Sequence, residues 1–413
     1  MSTIGQTHGR MTNGNADIEL AYAAYVQELL GYGANLRALF EAADTNPECP
    51  LLSANAAALH LAFEGREGWD DAAPYLARMK QHRAGITERE DIFCRAVLAW
   101  AAQDFRAALD LFSQIARDWP DDLVSVKWGQ YHAFNLGDQA AMLHLGELAV
   151  QACCNTPYVH GLYAFALEQN HEIRAAEKEA RHAVEIAIDD VWAQHAGAHV
   201  METERRHSEG ATWLGHCSHI WASKGTFIRE HSWWHTALFH LALGEQDKVF
   251  DIFDTWLWGE WPEFPQEQIG AASLLWRLEL NGLDAGSRWQ PLIEQAQARS
   301  GDHIFPFHDL HYLFAISHDD NPLCAEKHVA NMHQKAQSCT GEAAIAWQKA
   351  GLPAAAGILA FARGEAGEAV HHLEQALPHL EKIGGSHAQR AIFHQTCEVA
   401  RRRAAGQLAA LGE

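Results

Sequence analysis

REDIFCRAVLAWAAQDFRAALDLFSQIARDWPDD, running from Arg89 to Asp122, is the stretch whose reading decides the fold. Numbered from Arg89, its 34 residues put Ala96 at position 8, Ala108 at 20, Phe112 at 24 and Pro120 at 32. Small residues at 8 and 20 let the two helices of a hairpin approach closely, so the spacing has a steric cause. The unit reads as one helical hairpin that cannot bury its apolar face alone and must stack on others.

The same register returns near the C-terminus. With position 1 at Ala350, Gly357, Gly364, Ala369, Leu373 and Ala376 fall at 8, 15, 20, 24 and 27. This is the tetratricopeptide pattern. From about Ile18 onward almost no segment alternates with period 2, whereas apolar residues recur at i, i+3, i+4 and i+7. Breaks at Asn46-Pro47, Gly68, Gly137-Asp138, Gly244, Gly282 and Gly364 divide these helices into pairs. The predicted fold is all-α: tetratricopeptide-like helical-hairpin repeats forming a right-handed superhelix, an α-solenoid, as a single body over residues 18–413. Residues 1–17 are polar, lack an apolar core of the kind found in leader peptides, and are expected to be disordered.

Composition removes several classes of function. The chain carries 31 Lys+Arg against 53 Asp+Glu, a formal net charge of −22, and has no basic run. A nucleic-acid partner is therefore not expected, because phosphate binding needs a basic patch. No apolar run is long enough to span a membrane, so no membrane partner is expected either. The eight cysteines are scattered, and the adjacent Cys153-Cys154 lacks CxxC spacing, which fits reduced thiols and a cytoplasmic protein. No phosphate loop, GxGxxG or GxSxG occurs, which sets aside nucleotide, dinucleotide and serine-hydrolase readings.

The chemistry-bearing residues gather in the middle. Phasing a repeat from Pro157 puts Ala164, Ala176 and Ala183 at 8, 20 and 27 and leaves Glu168 at 12. The next, from Val191, puts Ala198, Gly210 and Leu214 at 8, 20 and 24, and His195, His199 and Glu202 at 5, 9 and 12. A third, phased by Gly244 and Phe253, puts His231 at 2 and Trp234 at 5. Positions 2, 5, 9 and 12 of the first helix line the concave groove of such arrays, so three successive hairpins aim these side chains into one concavity. HAGAHVME and HSWWH each place histidines four residues apart, on one helix face. By contrast His60, His82, His132, His144, His182, His371 and His372 read as ordinary core or surface residues. Most of the tryptophans read as core, with Trp234 and Trp276 placed to stack on a ligand. WLWGEWPEFPQEQ, with two prolines, breaks the repeat and is expected to be a loop covering the groove.

The blocks HGLYAFALEQN, DDVWAQHAGAHVME, HSWWHTALF, SLLWRLELNG, FPFHDLHYLFAI and GGSHAQRAIFHQT carry a resemblance. Over roughly residues 158–397 the chain resembles the tetratricopeptide repeat protein 38 family, found in bacteria, plants and animals, which includes a protein encoded in a glycopeptide-antibiotic biosynthetic cluster. The matching positions are Glu168, Trp192, His195, His199, Glu202, His231, Trp234, His235, Trp276, Arg277, Asp309, His311, Gly385, Gln389 and Arg390. This chain departs from the pattern at Gly270, where family members tend to carry Asp. The resemblance implies the repeat fold and this residue set, and names no activity.

Two classes of function stay open. In the first, the groove is a small-molecule pocket with enzymatic chemistry, its reacting groups drawn from His195, His199, Glu202, His231, His235, Asp309 and His311. Glu168, Trp234, Trp276, Arg277, Gln389 and Arg390 would then bind the ligand, the two arginines by gripping a carboxylate. Acid–base work would pair His195 or His199 with Glu202 or Glu168, and His311 with Asp309. The spacing of His195, His199, Glu202, His231 and His235 is also compatible with a divalent metal as the lesser alternative, since neither HExxH nor a Glu-x-x-His pair is present at the cluster. In the second class, the protein is a non-catalytic scaffold for a protein or peptide partner, and the histidines are structural or pH-sensing.

Overall fold

The computed structural model describes residues 16–411, with side chains through residue 406. Most of the arm expected to be disordered, residues 1–15, lies outside that range. Ala16 and Asp17, counted with the arm by composition, open the first helix, where Asp17 and Glu19 favour its positive end.

Helices α1 (Ala16–Leu30) and α2 (Arg37–Thr45) precede a run of hairpins. These are α3 (Pro50–Leu61) with α4 (Arg66–His82), α5 (Glu88–Ala101) with α6 (Phe105–Asp118), and α7 (Leu123–Leu136) with α8 (Gln139–Cys153). Next come α9 (Val159–Gln169) with α10 (Ile173–Ile186), and α11 (Val191–Thr203) with α12 (His207–Trp221). Then follow α13 (Thr226–Ala242), α14 (Gln246–Ile252), α15 (Pro265–Leu280), α16 (Trp289–Ala298), α17 (Pro306–Ile316) and α18 (Leu323–Ser338). The series ends with α19 (Gly341–Ile345), α20 (Leu352–Ala362), α21 (Ala366–Ala376) and α22 (His387–Leu411). The fold is all-α, built of tetratricopeptide-like hairpins. Among the described residues the only bridge outside helices is an isolated antiparallel one, Gly33 to Lys224.

The Arg89–Asp122 stretch is the hairpin α5–α6. Thr87 and Glu90 form a reciprocal capping box at the start of α5, and Asp104 caps α6 through the Ala107 amide. Ala96, Ala108 and Phe112 are fully buried, as close packing of the pair demands. The first helices of the hairpins are buried on nearly every side, α11 without interruption from Ala193 to Met201, whereas α10 buries only Ala176, Ala180 and Ala183. The first helix is thus sandwiched and the second is an amphipathic outer layer. Polar groups on the first helix must consequently find partners inside.

Gly137, Gly244, Gly282 and Gly364 break helices as expected, each with the positive φ that favours glycine. Gly68 does not. It lies inside α4, and a Cβ there would come within 2.2 Å of the His60 carbonyl oxygen, so its small size serves close packing of α4 on α3.

The chain divides into two compact units. One runs to Phe134 and resumes over Asp138–Phe239; the other comprises Asn135–Gly137 and His240 onward. Within the first, the segment after α1 turns back over the first helices of the hairpins. The Tyr32 carbonyl accepts from the Gly225 amide at 2.8 Å, and Lys224 Nζ donates to the Gly31 carbonyl at 3.1 Å. A Cβ at Gly31 would meet the Tyr158 ring at 3.0 Å, so the absence of a side chain eases the close passage of the segment there. Among the described residues no helix is long and apolar enough to cross a membrane, and all eight cysteines are free thiols, four of them buried.

Candidate functional site

Asp190 caps α11 by accepting from the Ala193 amide at 2.9 Å, and Gln194 anchors the helix by accepting from Trp221 Nε1 at 2.9 Å. Fixed this way, α11 presents His195, His199 and Glu202 on one face. The parallel face of α13 presents His231 and His235. One ring nitrogen from each of His195, His199, His231 and His235 falls within 4.8 Å of all the others. His195 Nε2 is 3.0 Å from both His199 Nε2 and His231 Nε2. His195 and His199 are each 1% exposed and His235 is fully buried, while His231 is half-buried.

Two carboxylates stand behind the cluster. Glu168, on α9, faces His199 Nδ1 at 3.5 Å and also accepts from the Thr203 hydroxyl at 3.3 Å. Glu202 lies 3.1 Å from His235 Nδ1. The expected pairing of His199 with Glu168 is therefore present, whereas Glu202 reaches across to α13 instead of pairing on its own helix. Burial and the neighbouring imidazoles hold His195 well below the ordinary histidine range, and burial, helped by His235, does the same to His231. Trp234 is buried behind His231, stacked at 5.5 Å, and meets His235 edge-on at 4.8 Å.

An aromatic ladder continues from the cluster. Trp192 stacks on His195 at 4.6 Å, and Tyr32 stacks on Trp192 at 5.2 Å. Lys127, on α7, holds its ammonium 3.7 Å from the centre of the Tyr32 ring. Lys127 Nζ is buried and has no hydrogen-bond partner among the described residues; the same is true of Asp190 Oδ2, His195 Nδ1 and His235 Nε2. Burial, only partly offset by Asp190, lowers Lys127 to about 7; burial raises Asp190 to about 6. Sequence reasoning missed Lys127, Asp190 and Tyr32. Carrying the register back 34 residues from Pro157 starts a repeat at Leu123 and puts Lys127 at position 5, the same place as His195 two helix pairs further on.

The other sequence candidates belong to the second unit, where they are engaged in its packing. Trp276 is 2% exposed, stacks on Phe314 at 4.6 Å and donates to Thr396 Oγ1 at 2.9 Å, so it is a core residue of that unit. Arg277 donates to the backbone carbonyls of Ala388 and Gln389 at 2.7 and 3.3 Å and to the Ser273 hydroxyl. Arg390 donates to the Gly385 carbonyl, and Gln389 Oε1 accepts from the Ser386 amide at 2.8 Å, which together fasten the turn before α22.

The expected Asp309–His311 pair does not form. Two residues apart on a helix, the side chains point to different faces. Asp309 instead holds His303 Nδ1 at 2.6 Å, with His303 in left-handed backbone at φ 49°, and His311 Nδ1 donates to the Phe307 carbonyl at 2.7 Å. Burial lowers His311 to about 3. The proline-containing segment expected to be a loop is irregular between Trp258 and Phe264, where the Glu267 carboxylate accepts from the Gly259 and Trp261 amides, each at 2.6 Å.

No family model matches the chain. Among solved structures it is similar to the human IFIT1 dimer with PPP-AAAA, at 15% identity over 87% of this chain and 89% of that chain, with a TM-score of 0.38. It is also similar to the APC/C hetero-tetramer Cut9-Hcn1, at 11% identity, 96% and 78% coverage and a TM-score of 0.42. The yeast Tom70 structure is a third, at 9% identity, 94% and 87% coverage and a TM-score of 0.44. With likenesses this remote, the fold rests on the helix register and packing described above.

Proposed function

We propose that the first unit is a small-molecule site rather than a peptide groove, in a cytoplasmic member of the tetratricopeptide repeat protein 38 family. Its ligand carries a carboxylate or comparable acceptor oxygen beside an apolar or aromatic body. The observation that carries this reading is Tyr32 stacked on Trp192 and lying over Lys127. The chain's own segment thereby occupies positions on the first helices that a bound peptide would need.

Three ammonium hydrogens with no oxygen acceptor favour a ligand oxygen, and the aromatic ladder beside them supplies an apolar wall. Glu168 with His199 and Glu202 with His235 form carboxylate–imidazole pairs, the groups that acid–base or metal-assisted chemistry on that ligand would use. The acidic net charge gives no support to a nucleic-acid partner.

The test is a ligand-observed NMR screen of small aromatic carboxylic acids against the untagged full chain, run beside a peptide array. The expected result is carboxylate binding that Lys127→Met abolishes, with no peptide bound. Peptides that bind the intact protein while no carboxylate does would replace this reading with the scaffold.

A further inference from the structure

We infer that His195, His199, His231 and His235 form a mononuclear site for a divalent first-row transition-metal ion, with Glu168 and Glu202 as the carboxylates that orient its ligands. The argument starts from hydrogen-bond roles. A neutral imidazole carries one N–H and one bare lone pair. Glu202 accepts from whatever faces it, so the proton of His235 sits on Nδ1, 3.1 Å away, and leaves its Nε2 lone pair bare. That Nε2 is buried and has no hydrogen-bond partner among the described residues.

Glu168 orients His199 in the same sense. Its oxygens already accept from the Thr203 hydroxyl and the Gln169 amide, and it faces His199 Nδ1 at 3.5 Å. The His199 Nε2 lone pair then points at His195 Nε2, 3.0 Å away, and His231 Nε2 crowds the same atom at 3.0 Å. His195 Nε2 carries at most one hydrogen, which can serve one of these two neighbours well and not both, whereas a cation placed among the three atoms is met by a lone pair from each. A single ion meets all of these nitrogens at once.

The geometry and charge fit such an ion. Metal–imidazole bonds of about 2.0–2.1 Å put tetrahedral ligand nitrogens about 3.4 Å apart, and the four nitrogens here span from 3.0 Å to at most 4.8 Å. Four imidazoles are a donor set for Zn2+, Co2+, Ni2+ or Cu2+ and not for Mg2+ or Ca2+. The two carboxylates provide the opposite charge that a buried dication needs. Histidine ligands that pass their other N–H to a carboxylate are held in tautomer and orientation, which is the arrangement of His235 with Glu202 and of His199 with Glu168. The i, i+4 spacing on both α11 and α13 means the ion would tie the two helices together.

The experiment uses the full chain purified without a histidine tag, stripped of metal with a chelator and titrated with Co2+. We expect one equivalent to bind with a ligand-field band of nitrogen coordination and to be displaced by Zn2+. His235→Ala should weaken binding at least tenfold. Glu202→Gln should keep the stoichiometry and weaken binding about 10–100-fold. The chain carries 27 histidines, so binding that persists unchanged in His235→Ala would be surface binding and would overturn the inference. Should that variant fail to fold by circular dichroism, electron paramagnetic resonance of the unmodified protein loaded with one equivalent of Cu2+ counts the ligands directly. Coupling to three or four imidazole nitrogens supports the site, and fewer overturns it.

Discussion

Replacing Lys127 by methionine should make the protein more stable. The ammonium is buried without an oxygen acceptor, and its proton affinity is lowered from 10.5 to about 7. Each tenfold change in proton affinity corresponds to about 1.4 kcal/mol, so the charged lysine costs the folded state about 4–5 kcal/mol below pH 7. The sign follows from proton counts. Between pH 7 and 10.5 the unfolded chain binds more protons than the folded one, so stability rises with pH and the penalty has vanished by about pH 10.5. Methionine fills a similar volume without a charge. Asp190, which the lysine partly compensates, takes back about 1 kcal/mol, leaving a net gain of roughly 3–4 kcal/mol at pH 6.5 that shrinks steadily toward pH 10. Denaturant unfolding of both proteins at several pH values measures the difference. A loss of stability in Lys127→Met, or a gain that does not change with pH, would refute the picture of a desolvated amine retained for binding rather than for the fold.

Two further substitutions probe the packing. His132 is fully buried against Trp100 and Phe112, with neither ring nitrogen hydrogen-bonded, and burial lowers it to about 3. Its contribution is intact above about pH 6.5 and declines as the unfolded chain takes up the proton, so His132→Phe should remove roughly 2 kcal/mol of acid destabilisation at pH 5, read from denaturation midpoints at pH 5 and 7. At Gly210 in α12 a Cβ would come within 2.2 Å of Phe239 Cζ in a fully buried cluster, so Gly210→Ala should lower stability by about 1–3 kcal/mol, with an unchanged melting temperature counting against the packing.

The hairpins were readable because their cause is local. Ala96 and Ala108 must be small for α5 and α6 to touch, and the spacing of such residues survives in the sequence without any knowledge of neighbours. The histidine cluster was half readable for the same reason: i, i+4 spacing fixes a shared face, and the repeat brings the faces of α11 and α13 together. What spacing cannot supply is the partner across helices. Glu202 could have served His199 or His235, and only the approach of α13 decides for His235. Asp309 and His311 looked adjacent because they are near in sequence, yet a helix turns them apart. Arg277 and Arg390 carry donors that match a carboxylate and a backbone carbonyl equally well, and their chain neighbours give no sign of which is nearer. Lys127 is the instructive omission. A lone lysine on a helix reads as solvated, although its register position was available.

The bridge from Gly33 to Lys224 has a consequence for how the protein is made. Repeat arrays fold by nearest-neighbour contacts, so each hairpin can settle as it leaves the ribosome. Here the segment beside Tyr32 waits for a partner about 190 residues later, and loop-closure entropy rises with that separation. Nascent chains shorter than this would display Trp192 and Lys127 without their cover, in the interval when a growing polypeptide is most exposed to aggregation and to chaperones. Docking of this early segment must therefore follow synthesis of Lys224 and Gly225.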